Sequence, residues 1–510
     1  MKKTALSTRR AMEWTALCTA VFSLMAHGYR FLNMAFSGDA AQISQAEEIV
    51  YQISIGRFLQ PVLWHVRGMI TAPLTIGLFA TAALTLSALM IVSLLGLKDK
   101  WSILLVCGIL ATNETLGVSY ATYLPWMDVY MFALLFSTAA VFVSERTPHG
   151  WLIAPLLYAC SLSLYQSYMQ AAVALTLLLL IFRLLGGEKP AAIWLRGIRA
   201  CLSILAGLLL YAAAYKLVLS AMGIEAYSDY NGLTEVGVIS LADIPRLLAE
   251  TYLYPIRFFL RGADSAFIPP VLTLALLAIS LPALLMLSRR LKPFGVVTLL
   301  FLMLIFPLGV NFVAFISKGT VHPLMVYSFY FVYVLCIVLH QRAQAKPCKK
   351  SFVRGSLRIC AFAGAILVSL MLALNIKTAN HLYFRRDLEF YATTSAATRI
   401  LKHAENVEGY VPGKTPVCFL GYLPSSRIDF DRPGFEELSN LQGMRYTYAA
   451  SYATATPWYY EMILGSPINF VSTDDQYYYD NRSDIDKDWP AFPDEGCYRL
   501  VNGTLFIKIN

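Results

Sequence analysis

Long apolar runs separated by short polar stretches fill the first three quarters of the chain. A helix that crosses about 30 Å of hydrocarbon needs about 20 mostly apolar residues. Such runs lie near 11–35, 72–96, 101–119, 124–143, 151–164, 166–185, 199–221, 267–288, 293–316, 320–340 and 355–376. This pattern predicts about eleven transmembrane helices. The pair between 151 and 185 is interrupted around Ser161-Leu162-Ser163. The first run has no small-residue cleavage site before Asp39, so it reads as a membrane anchor and not as a removed signal peptide. Between Asp39 and Arg57, apolar Ala40, Ile43, Ala46, Ile49 and Val50 recur at helical spacing. That predicts a helix lying on the membrane surface, with Glu47 and Glu48 on its wet face.

From about Lys377 the pattern changes: the tail to Asn510 is polar, rich in tyrosine and net acidic. A helical pattern over 380–404 gives way to strand-like runs at 417–420, 497–501 and 505–508. The expected fold class is therefore mainly α. It is a polytopic membrane domain over 1–376, with outer loops 37–71 and 222–266, followed by a small α/β extracytoplasmic domain over 377–510. No repeat or low-complexity linker interrupts this plan.

Composition agrees with the pattern. Apolar residues make up 57% of the chain and charged residues 14%, with a mean hydropathy of +0.56. An ordinary soluble domain carries about 25% charge. The formal charge of +9 collects in alternate loops, from Lys2 and Arg9 through Lys98, Arg146 and Arg183 to Arg289 and Arg342. By the positive-inside rule the N-terminus is cytoplasmic, and an odd helix count puts the C-terminus outside. The charge is then a topology signal, and no clustered basic face for nucleic acid remains. Of nine cysteines, only Cys418 and Cys497 fall in the tail. An oxidising compartment would permit a disulfide between them, and spacing alone leaves pairing open.

The chain has no phosphate-cradling glycine loop, no CxxC and no HExxH, so neither metal nor cofactor is expected. Its informative polar residues gather on one side of the predicted membrane. Asp39 stands where the first helix leaves the bilayer, as a solvated loop residue or as a functional group held at the interface. Arg57 stands at the far end of the surface helix. The second outer connection holds Glu114 and then Asp128 at the start of an apolar span. Asp128 there is either a helix cap or a group facing a polar cavity. Tyr165 and Gln166 in the 161–168 break offer ring stacking and amide hydrogen bonds suited to a sugar, or to gluing helices together. Lys318 and His322 break the positive-inside trend, which a phosphate at the outer interface would explain, as would snorkelling. Arg257 and Arg261 are further cations on that side. Aromatic runs at 458–460 and 477–479 could grip a polysaccharide or fill a core.

A first span, then an outer loop with an acidic residue and a Gly-Arg-aromatic-apolar-Pro-like run (Gly56 to Pro61), resembles the phage-type O-antigen glucosyltransferases, the Gtr-type serotype-converting enzymes. The segments Ser163–Tyr168 and Tyr120–Asp128, and the closing extracytoplasmic domain, are similar to the same family. The resemblance implies a GT-C-like enzyme in a bacterial inner membrane. It would take glucose from a polyprenyl-phosphate carrier at the periplasmic face and place it, with inversion, on lipopolysaccharide O-antigen. It implies Asp39 as base, where many relatives show two adjacent acids and this chain has Gly38-Asp39. Arg57, Lys318 and His322 are the implied ligands of the donor phosphate, and Asp128, Tyr165, Gln166 and Glu114 those of sugar or acceptor. Implied partners are the lipid-linked donor, the polysaccharide acceptor, membrane lipid, and a lipid-sugar synthase and flippase acting in concert. Competing readings are a flippase of lipid-linked sugar and a transferase of another sugar from the same carrier. A flippase should show repeated halves or polar sites on both membrane sides, and neither is evident.

Overall fold

The structure is a computed structural model that describes residues 6–35, 46–227, 240, 242–261, 267–319, 321–346, 351–421, 459–471 and 489–509. Its helices are α1 (Thr8–Leu32), α2 (Ala46–Ser54), α3 (Gln60–Val66), α4 (Pro73–Leu95), α5 (Lys100–Thr112), α6 (Glu114–Thr122), α7 (Met127–Arg146) and α8 (Gly150–Leu164). They continue with α9 (Met169–Gly186), α10 (Pro190–Met222), α11 (Ile244–Arg261), α12 (Pro270–Ser288), α13 (Pro293–Val310), α14 (Phe312–Ile316), α15 (Phe331–Ala345) and α16 (Ser351–Glu405). Two compact units result. Of the described residues, the first holds those up to 32, 46–120 and 124–380, and the second holds 33–35, 121–123 and those from 381 onward.

Each of the eleven apolar runs contains helix. Eight helices are long and apolar enough to cross a membrane, counted among the described residues. The first run is less apolar because α1 carries Arg9, Arg10, Glu13 and Arg30, while α8 and α15 are 15 residues each. Local chemistry sets the helix boundaries. Proline opens α4, α10, α12 and α13, where its missing N–H costs no intrahelical bond. Asn113 separates α5 from α6 and satisfies both ends. Its Nδ2 donates to the carbonyls of Ile109 and Leu110, and its Oδ1 accepts from the Leu116 amide at 3.2 Å.

Burial separates interior helices from lipid-facing ones. The apolar window of the α5–α6 segment is 94% buried, whereas that of α10 is 11% buried and studded with exposed leucines. A helix apolar all round yet uncovered requires a hydrocarbon solvent. The chain is a polytopic membrane protein.

In the second unit, strands β1 (Pro416–Leu420), β2 (Asn469–Phe470), β3 (Tyr498–Val501) and β4 (Thr504–Lys508) form one sheet in the order β2-β1-β4-β3. β1 runs parallel to both neighbours, and β3–β4 is a hairpin. Its turn residues Asn502 and Gly503 both have positive φ, the backbone twist that a two-residue hairpin requires. Alternation along β1 and β4 gives the sheet two faces. Val417, Phe419, Leu505 and Ile507 pack with Ile400 and Leu401 of α16, with Tyr460 and with Cys497. Cys418 points the other way, with Leu420 and Phe506. The considered Cys418–Cys497 disulfide is therefore absent: the two side chains lie in clusters on opposite faces of the sheet. Burial also pushes the Cys497 thiol above its ordinary range.

Candidate functional site

The candidate site in the first unit grows from a tight turn between α2 and α3. Gly56 has φ +85°, and a Cβ there would run into the hydroxyl of Tyr211 on α10. That hydroxyl donates to the Gly56 carbonyl at 3.1 Å, and Tyr215 donates to the Ser54 carbonyl. On the other flank the Leu59 amide donates to the Ser163 carbonyl, and Gln60 Nε2 donates to the Leu164 carbonyl at 2.6 Å. The turn is thus fastened on both flanks of Arg57, to the end of α8 and to Tyr211 and Tyr215 of α10.

Arg57 is buried, and Gln52, Gln166 and Tyr165 are among the neighbours of its guanidinium. Nη1 donates to Gln52 Oε1 at 3.2 Å, Nε donates to Gln166 Oε1 at 3.5 Å, and Cζ lies 4.8 Å from the centre of the Tyr165 ring. Gln166 Nε2 in turn donates to the Ile55 carbonyl and to Tyr211 Oη. The break after α8 explains this: Tyr165 is extended, so the following Gln166–Tyr168 turn presents its side chains to the 52–57 segment. Arg57, Tyr165 and Gln166 come from distant parts of the sequence and meet here.

Gln52 also donates to Glu48 Oε1 at 2.6 Å. Glu48 is 8% exposed, so the expected wet face of the surface helix is corrected at this position. An amide linking Glu48 to Arg57 gives the carboxylate a reason to be inside. The Glu47 side chain, Asp39 and residues 472–488 lie outside the described residues, as do Trp458 and the side chains of Arg261 and Tyr459.

Asp128 is directed elsewhere. Its Oδ1 accepts from Arg67 Nη1 at 2.7 Å and from the Val129 amide, with both side chains of the ion pair at 2% exposure or less. Tyr130, two residues on, lies 4.4 Å from Tyr165 between ring centres. Tyr168 continues the aromatic run to Tyr327 at 5.6 Å. Glu114 opens α6, fully buried near Tyr330.

Lys318 has φ +52° in the turn after α14, followed by Gly319 beside Glu250. His322 Nδ1 accepts from the Leu324 amide at 3.4 Å, which leaves the neutral ring's proton on Nε2. The Pro323–Met325 turn that follows packs on the Gln166–Tyr168 turn. Gln170 fixes it by donating to the Met325 carbonyl at 2.9 Å. The 318–325 segment thus abuts the Arg57 corner through its turn. Among the described residues no three His, Cys, Asp or Glu side chains gather as a metal set.

The family described as Glucosyl transferase GtrII matches residues 28–340. The chain belongs to that family. The matched region holds the Arg57 corner, the Arg67–Asp128 pair and the 318–325 segment, so all of this geometry lies within what defines a GtrII glycosyltransferase. No curated protein and no solved structure matches the chain.

Sequence reasoning passed over one constellation in the second unit. On α16, Arg385 Nε meets Glu389 Oε1 at 2.8 Å, and Arg386 Nη1 meets Glu389 Oε2 at 3.2 Å. Arg386 Nη2 also donates to Thr122 Oγ1 at 2.8 Å. All three charged residues are buried, as is Asp387. The i,i+3 and i,i+4 spacing was visible in the sequence, but it reads the same for a solvated helix.

Proposed function

We propose that the protein transfers glucose from a polyprenyl-phosphate carrier to lipopolysaccharide O-antigen at the periplasmic face of the inner membrane, with inversion at the sugar carbon. Asp39 removes the proton from the acceptor hydroxyl, whose oxygen attacks the anomeric carbon. The carbon–oxygen bond to the carrier breaks, and the phosphate departs with the bonding electrons. Arg57, with Lys318 and the Nε2–H of His322, meets the charge that develops on the phosphate. Tyr165, Gln166, Asp128 and Glu114 orient sugar hydroxyls.

The observation that carries this reading is the Arg57 corner: a buried cation held by Gln52, Gln166 and Tyr165, inside the family-matched region. A cation kept in place before substrate arrives needs no reorganisation when negative charge builds beside it. The test is transfer of radiolabelled glucose from polyprenyl-phosphate glucose to O-antigen in isolated membranes. Label in polysaccharide only when this protein is present supports the reading. Equal label in membranes lacking it contradicts the reading.

A further inference from the structure

The Arg67 guanidinium is entirely inside the protein, with its side chain 0% exposed. A guanidinium offers five N–H groups, and Nε and Nη2 share one edge and point in parallel. Among the described residues Arg67 spends only Nη1, on Asp128. Nε and Nη2 are buried and have no hydrogen-bond partner among the described residues. Leaving two charged donors unsatisfied in a protein interior costs more than an ordinary unmade hydrogen bond. That same edge matches two oxygens of a phosphate side-on.

A second unpartnered donor lies on the same helix face. Trp64 precedes Arg67 by three positions on α3 and its end, so the two point the same way. The Trp64 ring meets Trp126 edge-on at 6.4 Å, just as Arg67 meets Asp128 two residues further along. Trp64 is fully buried, and its Nε1 also has no hydrogen-bond partner among the described residues. Among the described residues, three nitrogen donors with no acceptor therefore belong to one junction, between α3 and the start of α7. Donors alone call for an oxyanion.

The junction is close to the surface along the chain. Val66 and Ile70, on either side of Arg67, are 70% and 56% exposed. Gly68 and Met69 both have positive φ, a conformation that an unbranched apolar side chain rarely adopts. Arg67 thus sits one layer beneath a strained, exposed turn. The Asp128 carboxylate, held beside it, could take a hydroxyl of a sugar attached to the bound phosphate.

We propose that the Nε–Nη2 edge of Arg67, with the indole N–H of Trp64, is a seat for the phosphate oxyanion of a prenyl-linked sugar donor. This rests on the transferase reading above and extends it, since that reading gives the phosphate charge to Arg57, Lys318 and His322.

The test is binding of geranylgeranyl phosphate, and separately of inorganic phosphate, to the purified full-length protein in detergent. Variants Arg67→Lys, Trp64→Phe and Asp128→Asn are compared, each with its melting temperature. Arg67→Lys, which keeps the charge but loses the parallel edge, is expected to weaken the prenyl phosphate by about tenfold. Trp64→Phe should weaken it by about threefold, the loss of one donor. Asp128→Asn should bind more tightly, because a neighbouring negative charge is removed. Inorganic phosphate should follow the same rank order at lower affinity; rank order with inorganic phosphate alone would overturn the lipid-linked assignment. A purely structural ion pair would give weaker binding in Asp128→Asn together with a lower melting temperature, or no change in any variant, and either result overturns the seat. Should Arg67→Lys fail to fold, the opposed signs expected of Trp64→Phe and Asp128→Asn still decide. If binding is lost as expected but membranes transfer no glucose, the seat stands and the transferase reading falls. If glucose is transferred while no variant alters binding, the reverse holds.

Discussion

Arg57 shows how one residue is prepared by its neighbours. Two amide oxygens and one ring face hold a group that would otherwise sample many rotamers. Arg57→Lys keeps the charge but cannot reach Gln52 and Gln166 together. The expected outcome is a KM for the lipid donor raised by about tenfold, with the protein's melting temperature nearly unchanged. An unchanged donor titration in membranes would remove Arg57 from phosphate binding. Arg57, Tyr165 and Gln166 could each be picked out of the sequence as polar groups at breaks in apolar runs. Glu48 could not, because its neighbours in sequence alternate in a way that suits water, and its interior partner Gln52 is fixed in turn by Arg57. The Arg67–Asp128 pair was equally hidden. Asp128 stood out, but its partner lies 61 positions away, a separation that periodicity does not reach.

At the scale of elements, turns decide what the helices present. Gly56 allows α2 to turn into α3 directly beneath Tyr211. Gly56→Ala meets both a forbidden φ and the Tyr211 hydroxyl, and should lower transfer by about tenfold or more, since small displacements at a site of this kind are costly. Adding Tyr211→Phe removes the clashing oxygen and should recover part of the rate. No recovery would mean that backbone strain alone is responsible. The Glu389 cluster makes a separate claim within the second unit. Glu389→Gln leaves Arg385 and Arg386 buried without that carboxylate and should cost about 3 kcal/mol, read as a lower melting temperature in detergent. A variant melting with the wild type would show the cluster to be water-filled. The apolar runs and the three strand-like runs were readable because their period is local. Which face of β1 carries Cys418 was readable too, by alternation. That Cys497 joins the other face depends on where the chain re-enters the sheet, which no local pattern encodes.

At the scale of the whole molecule, a helical membrane unit carries the family-matched site and a small sheet closes the chain. The burial contrast between the α5–α6 segment and α10 says where lipid meets protein, and the apolar pattern alone could not separate those two, since both are hydrophobic all round. The candidate site draws on α2, α3, the α8–α9 break, α10 and the 318–325 segment, so it exists only in the folded unit. The central claim is that this protein adds glucose to surface polysaccharide, with Asp39 as the base. The most direct measurement is sugar analysis of lipopolysaccharide from cells carrying the wild-type chain, Asp39→Asn, or neither, with membrane levels of the two proteins matched. The expected result is side-branch glucose with the wild type and at least about a hundredfold less with Asp39→Asn. Equal glucose in wild-type and Asp39→Asn cells would contradict the base, and equal glucose in all three would contradict the function itself.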